Sequence, residues 1–223
     1  MKILYHHKLY ETSPSQSDGS CSYVLATNNP GKVKEIAPYF KDAGIELIGL
    51  ADLGLRFEAQ ETTGTFEGNA KQKAHETLAF LKSQGHNNFA VLSDDSGLMI
   101  DAMNGQPGVE SANFLGRETP YEKRFDVILN ALGGLNGAAR AARFVCVMVC
   151  AFPDGREIVT SGTMEGEIAQ ESYGAGGFGY DPIFYVPELS KTTAQMTKDE
   201  KNAISHRGKA LAEMIRLLEN KKT

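Results

Sequence analysis

Two adjacent carboxylates, Asp94 and Asp95, follow the apolar run Phe89-Ala90-Val91-Leu92 and precede Ser96-Gly97. Ionised side chains at the end of a buried strand are costly to desolvate unless a cation or hydrogen-bond donors balance them. The pair therefore reads as a metal or acid–base site, placed where a strand ends and the chain turns at Gly97. A solvated Ser-Asp-Gly turn is the alternative for such a segment standing alone. Glu61, in the polar loop Gln60-Glu61-Thr62-Thr63-Gly64, is a further candidate metal carboxylate, with a solvated loop acid as the alternative.

Positive and aromatic groups suited to an anionic ligand lie elsewhere. Thr27-Asn28-Asn29-Pro30-Gly31-Lys32 joins a predicted strand to a predicted helix. Free backbone N–H groups and the helix dipole at such a junction can hold a phosphate, and Lys32 adds a point charge. The segment lacks the G-x-x-x-x-G-K-[ST] pattern of a Walker A loop, and an ordinary tight turn is its alternative. Lys73 is a second candidate cation on a predicted helix, where a lysine is commonly solvated. Tyr173-Gly174-Ala175-Gly176-Gly177-Phe178-Gly179-Tyr180-Asp181 permits close backbone approach to a ligand, and Phe178 and Tyr180 offer flat faces for a nucleobase. A bulged loop with its aromatics in the core is equally compatible. His206, Arg207 and Lys209 crowd one turn near a helix start, one turn beyond Lys201. Cations there oppose the helix dipole unless an anion or a base acceptor balances them; a solvated basic helix end is the alternative.

The elements that must position these groups alternate between strand and helix early in the chain, which predicts an α/β fold. Tyr23–Ala26 reads as a first strand. Val33, Ile36, Ala37 and Phe40 recur at helical spacing, with Pro38 expected to kink that helix. A second helix is expected over 66–81, with strands at Phe89–Leu92 and Leu98–Ile100 on either side of the acidic turn. Thr119-Pro120-Tyr121-Glu122 has the form of a capping box with proline at the first helical position, and Thr197-Lys198-Asp199-Glu200 is another. Arg143–Phe152 and Glu157–Thr163 form a long hairpin through Pro153-Asp154-Gly155, a further strand spans Ile183–Val186, and a last helix starts at His206. A hairpin inside an alternating pattern implies a mixed, twisted sheet.

The 223 residues, 41% of them hydrophobic, suit one full-sized domain at 22–221, with 1–21 as an N-terminal extension that is either a flexible tail or an added edge strand. A formal charge of −5 argues against broad capture of nucleic acid. No apolar run is long enough for a membrane span, and no secretory signal is evident. Cys21, Cys146 and Cys150 form no C-x-x-C pair; the last two lie in an apolar segment, and a reducing cytoplasm fits them best.

The blocks VLATNNPGKVKEI, F-x-x-N-A-x-x-K-A at 66–74, SDDSGL, PGVESA, AGGFGYDPIF and EKNAISHRGKA occur in an order that closely resembles the Ham1/RdgB family of purine nucleoside triphosphate pyrophosphatases, also called inosine triphosphatases. The resemblance covers nearly all of 22–220. It implies an elongated α/β fold with a mixed sheet and two lobes around a long cleft, a homodimer, and a need for Mg²⁺. It implies hydrolysis of ITP, dITP or XTP to the monophosphate and pyrophosphate, with a small-molecule nucleotide as the ligand. By the same resemblance Thr27, Asn28, Asn29, Pro30, Gly31 and Lys32 bind the triphosphate, with Lys73 a further phosphate contact. Asp95 is the general base and organises Mg²⁺ with Glu61 and Asp94, while Ser96 contacts substrate. Phe178, Gly179, Tyr180 and Asp181 shape the base pocket, and Lys201, His206 and Arg207 recognise the nucleotide. Purine selection is expected from a donor facing the 6-oxygen, either a backbone N–H near Phe178 or Arg207. Two positions depart from the family pattern: Gly68 stands where F-x-E-N-A carries glutamate, and Asn113 where P-G-x-x-S-A-R carries arginine.

Overall fold

The computed structural model describes residues 22–220, so the extension expected at 1–21 lies outside the described residues. Local signals start the first elements. Strand β1, Ser22–Leu25, ends at the Thr27–Asn29 turn. There the Asn29 side chain accepts the N–H groups of Gly31 and Lys32, and Pro30 opens helix α1, Pro30–Asp42. Together they satisfy donors that a helix start otherwise leaves unpaired. Helix α1 continues through Pro38, which lies inside it. Strand β2, Leu47–Gly49, follows, and Thr65 caps helix α2, Phe66–Ser83.

The seven-stranded sheet has the order β2-β1-β3-β4-β5-β6-β7. Strand β1 pairs in parallel with β2 and β3, and the remaining pairs are antiparallel, so the sheet is mixed as expected. Strand β3 spans Phe89–Ile100 without interruption. The acidic segment is therefore a strand interior, not a turn between two strands. Pairing with β4, Ala141–Ala151, continues through Asp94↔Met148, Asp95↔Val147 and Gly97↔Val145, and this ladder overrides the turn-like local composition. Gly97 provides room instead of a bend: a Cβ there would lie 2.2 Å from Gly108 O and 2.6 Å from Ser111 Oγ.

Strand β5, Glu157–Ile168, extends past the expected Thr163 because β4 pairs with it as far as Glu167, and Glu167 and Ile168 also pair with β6, Phe184–Val186. A 3₁₀ turn over Asp181–Ile183 takes Ile183 out of the strand expected at Ile183–Val186. The short β7, Lys191–Thr192, closes the sheet. Helix α3, Tyr121–Ala131, begins after an extended Pro120 with no side-chain cap, so the capping box at Thr119 does not form. The Thr119 hydroxyl donates to Leu115 O at 2.7 Å and closes the preceding turn. The expected capping box at Thr197 does start α4, Lys198–Ile204, and Ser205 caps α5, His206–Glu219.

Helices α1 and α5 cover one face of the sheet, burying Ile36, Phe40, Leu211 and Met214 against Leu92, Cys146, Met148 and Cys150. Helix α2 covers the other with Ala70, Ala74, Leu78 and Leu81 against Val91, Val147 and Val149. A further cluster joins α3 to the far half of β3–β6 through Phe125, Ile128, Leu98, Phe144 and Phe184. Cys146 and Cys150 are buried free thiols, as expected. Among the described residues no helix is long and apolar enough to cross a membrane.

Helix α5 rests directly on β5 at Gly162, where a Cβ would stand 2.2 Å from His206 O and 2.9 Å from Ala210 N. Backbone atoms cannot rotate away, so Gly162→Ala is expected to destabilise the fold by about 2–3 kcal/mol, measured by urea unfolding. An unchanged midpoint would show that α5 moves freely on the sheet.

Candidate active site

Strand β1 ends opposite Leu92, two residues before Asp94, and Ala26 N–H makes the last bond between them, to Leu92 O. Beyond that point the β1-side edge of β3 is open. A cleft of about 640 Å³ lies along it, between the α1/α2 half and the α3 half. The edge carbonyl of Asp94 accepts from Lys73 Nζ at 2.9 Å and Lys32 Nζ at 3.4 Å. Two cations from different helices thus complete the backbone pairing that β1 abandons.

Because β3 is continuous, its side chains alternate between faces. Asp95 faces α2. Its Oδ2 accepts from Asn69 Nδ2 at 3.1 Å, and its Oδ1 accepts the Ser96 N–H at 3.0 Å. Asn69 is oriented by Thr63, whose N–H and hydroxyl donate to Asn69 Oδ1 at 3.1 and 2.8 Å. Glu61, two residues earlier, forms an ion pair with Lys73. Burial pushes the Asp95 carboxyl up to about 6, with Glu61 adding to the rise and Lys73, Lys32 and Asn69 opposing it. Burial would lower Lys73, but Asp94, Glu61 and Asp95 outweigh it and keep the ammonium charged.

Asp94 points to the opposite face and is fully buried. Lys32 Nζ lies 2.9 Å from its Oδ2, Ser96 Oγ donates to the same oxygen at 2.8 Å, and Arg207 Nη2 is 3.5 Å away. Burial alone would raise this carboxyl; Lys32, Arg207 and Lys73 together hold it well below the usual carboxylate range. Glu35 of α1 accepts from both Lys201, at 2.9 Å, and Arg207. Lys201 also reaches Asp181 at 2.7 Å. Asp94, Glu35 and Asp181 therefore balance Lys32, Lys201 and Arg207 in one buried network, as desolvated charges require.

Phe178 lies over this network, with Lys201 Nζ 5.1 Å and Arg207 Cζ 5.7 Å from its ring centre. A Cβ at Gly31 would come within 3.1 Å of the ring, so α1 presents bare backbone to the aromatic face. Gly177 and Gly179 have φ of +71° and +65°, which only glycine adopts readily, and Asp181 Oδ2 accepts the Phe178 N–H at 2.8 Å. Tyr180 belongs to the core instead, 3% exposed, with its hydroxyl donating to Ser111 O at 2.8 Å. The two aromatics thus divide the readings left open for them. His206 stacks on Phe144 at 4.8 Å, and burial, then Arg207 and Lys201, push its pKa well down, so the imidazole is neutral. Among the described residues its Nδ1, Arg207 Nε and Asp94 Oδ1 are buried without a hydrogen-bond partner.

Of the site residues expected from sequence, Thr27, Asn28, Asn29, Pro30, Lys32, Glu61, Lys73, Asp95, Ser96, Phe178, Gly179, Tyr180, Asp181, Lys201, His206 and Arg207 all line this cleft. Gly31 lies beneath Phe178, and Asp94 behind the lining. Lys209, in the same turn as Arg207, donates to Thr163 O instead. Asn69 and Glu35 join the site without belonging to any of the sequence's candidate groups. Their available signals were a polar residue beside Ala70 on the apolar face of α2, and an acid three residues after Lys32. Gly68 admits no side chain as the fold stands, because a Cβ would meet Thr63 Oγ1 at 2.2 Å. Asn113 lines the far wall of the cleft.

Known proteins share both the sequence and this architecture. The Ham1 protein of Staphylococcus aureus is 42% identical and superposes with a TM-score of 0.78, over 90% of this chain and 99% of that one. The HAM1 protein of Coxiella burnetii is 37% identical, with a TM-score of 0.79 over 90% of this chain and all of the other. A dITP/XTP pyrophosphatase of Clostridium perfringens is 43% identical over 192 residues, covering 86% of this chain and 94% of the relative. One from Bacillus subtilis is 41% identical over 196 residues, covering 88% and 96%. With the family's sequence profile also matching residues 23–217, the span that builds the sheet and both walls of the cleft, the chain belongs to the Ham1 family.

Proposed function

We propose that this chain hydrolyses non-standard purine nucleoside triphosphates, such as dITP, ITP and XTP, to the monophosphate and pyrophosphate. The observation that carries this reading is the facing of a buried carboxyl, Asp95, by cations and an aromatic platform within one cleft. The relatives named dITP/XTP pyrophosphatases support it.

Phosphate oxygens meet Lys32, Lys73 and the Thr27–Lys32 turn, where field and N–H groups favour anions. Asp95 accepts a proton from the water that attacks the α-phosphorus; a pKa near 6 suits a base working close to neutrality. Lys73 and Lys32 offset charge as pyrophosphate leaves. Glu61 and Asp95 fit a hard divalent ion, which takes oxygen ligands and commonly one or two carboxylates beside substrate phosphates. Bound Mg²⁺ would supply charge neutralisation for the triphosphate. Asp94, though expected at the metal, is assigned here to holding Lys32 and Arg207 in place.

The purine stacks on Phe178. Arg207 Nε, buried and unpartnered, is the donor suited to a 6-oxygen; the Phe178 N–H is already taken by Asp181. Adenine would set its amine against that donor, a mismatch of about 1–3 kcal/mol. The buried free thiols fit a cytoplasmic setting. The homodimer implied by the family resemblance is testable by light scattering.

With Mg²⁺ present, pyrophosphate release is expected from ITP, dITP and XTP and far less from ATP or GTP. Orthophosphate as the product, or no product, would overturn the reading. Phe178→Ala is expected to raise KM for ITP about tenfold, the worth of one base–aromatic stack. An unaltered KM would remove the ring from base recognition.

A further inference from the structure

The cleft is lined by Lys32, Lys73, Lys201 and Arg207, all well buried and committed to buried carboxylates or to the β3 edge, and by one cation of a different kind. The Arg117 side chain is 70% exposed and, among the described residues, pairs with Glu58 alone, itself 62% exposed, at 2.9 Å. The two partners stand on anchored segments. Buried Arg124 donates to the carbonyls of Ser111, Ala112, Gly116, Arg117 and Thr119, which fixes the backbone that carries Arg117. On the other wall Phe57 stacks on Phe80 at 4.6 Å, and Gln60 N–H donates to Glu76 at 3.0 Å, holding the segment on either side of Glu58 to α2.

An exposed ion pair of this kind contributes little to stability and exchanges partners readily. A guanidinium binds phosphate by two parallel hydrogen bonds, more strongly than it holds a solvated carboxylate. Glu58 and Glu61 line the cleft from the same segment, and Arg117 lines it together with Lys32 and Lys73, the lysines given to the phosphates.

We propose that Arg117 is a further substrate-binding residue, whose guanidinium leaves Glu58 to take the terminal phosphates of the nucleotide. The inference rests on the proposed pyrophosphatase activity. Glu58 then acts as a competitor: it occupies the guanidinium until a more highly charged ligand displaces it. Removing the arginine weakens substrate binding, whereas removing the glutamate strengthens it. A merely structural latch would make both variants worse.

The test measures dITP turnover and inhibition by inorganic pyrophosphate in wild type, Arg117→Gln and Glu58→Gln. Wild type that releases no pyrophosphate would refute the activity itself, a failure distinct from that of Arg117. Given activity, Arg117→Gln is expected to raise KM for dITP and Ki for pyrophosphate about tenfold, with kcat nearly unchanged. Glu58→Gln is expected to lower both constants about two- to threefold. An unchanged Ki in Arg117→Gln, or a KM that fails to fall in Glu58→Gln, would overturn the assignment.

Discussion

Asp95→Asn is expected to reduce pyrophosphate release at least a thousandfold while raising the melting temperature of the metal-free protein at pH 8. The first effect follows from loss of the proton acceptor. The second follows from burial, which lifts the Asp95 carboxyl from 3.8 to about 6, so the folded state binds this proton more tightly than the unfolded state. For a carboxyl raised in this way, stability is greatest below the unfolded value and declines as pH rises to the folded one. The full loss is on the order of 3 kcal/mol. Asparagine does not titrate and avoids that loss, although one of the two donors now on Asp95, Asn69 Nδ2 and Ser96 N–H, loses its acceptor at a cost of about 1 kcal/mol. The advantage over wild type should therefore open between pH 4 and 6 and be complete by pH 8. Thermal melts in a chelator at pH 4, 6 and 8 check this. A variant that melts below wild type at pH 8, or keeps a tenth of its activity, would contradict the role given to Asp95.

The neighbouring substitution should act in the opposite sense. Asp94→Asn leaves Lys32 and Arg207 facing a neutral amide in a fully buried position, and an uncompensated buried charge costs about 3–5 kcal/mol. This carboxyl is held below its ordinary range, so its contribution is complete above the unfolded value and lost only as pH falls through strongly acidic values. The deficit relative to wild type should thus be constant from pH 5 to 9, and only slightly relieved by salt because the pairs are buried. Urea unfolding at pH 5, 7 and 9 tests it. Equal stability of Asp94→Asn and wild type would mean that the cations find other partners.

Most of the participants were legible in the chain. Asn29 and Pro30 start a helix where Lys32 can reach a ligand, and the capping box at Thr197 places Lys201 one turn inside α4. The spacing of Gly177 and Gly179 around Phe178 announced a tightly turned loop. Other roles were hidden because a polar residue in a helix ordinarily faces water. The local signals at Asn69 and Glu35, a polar residue beside Ala70 and an acid three residues after Lys32, fit a solvated side chain equally well until the helix packs on a sheet. Arg117 is a separate case, since its partner lies 59 positions away in the chain.

The amino-acid order by itself determined the stock of charges, the turn and cap chemistry and the apolar faces, because these depend on near neighbours. Only the tertiary structure decided that Asp94 and Asp95 serve opposite sides of the sheet. A run of Ser, Asp and Gly favours a turn locally, yet the ladder to β4 keeps it extended. Once extended, successive side chains must alternate, which sends one acid to the cations of α1 and α5 and leaves the other beside Asn69 in the cleft.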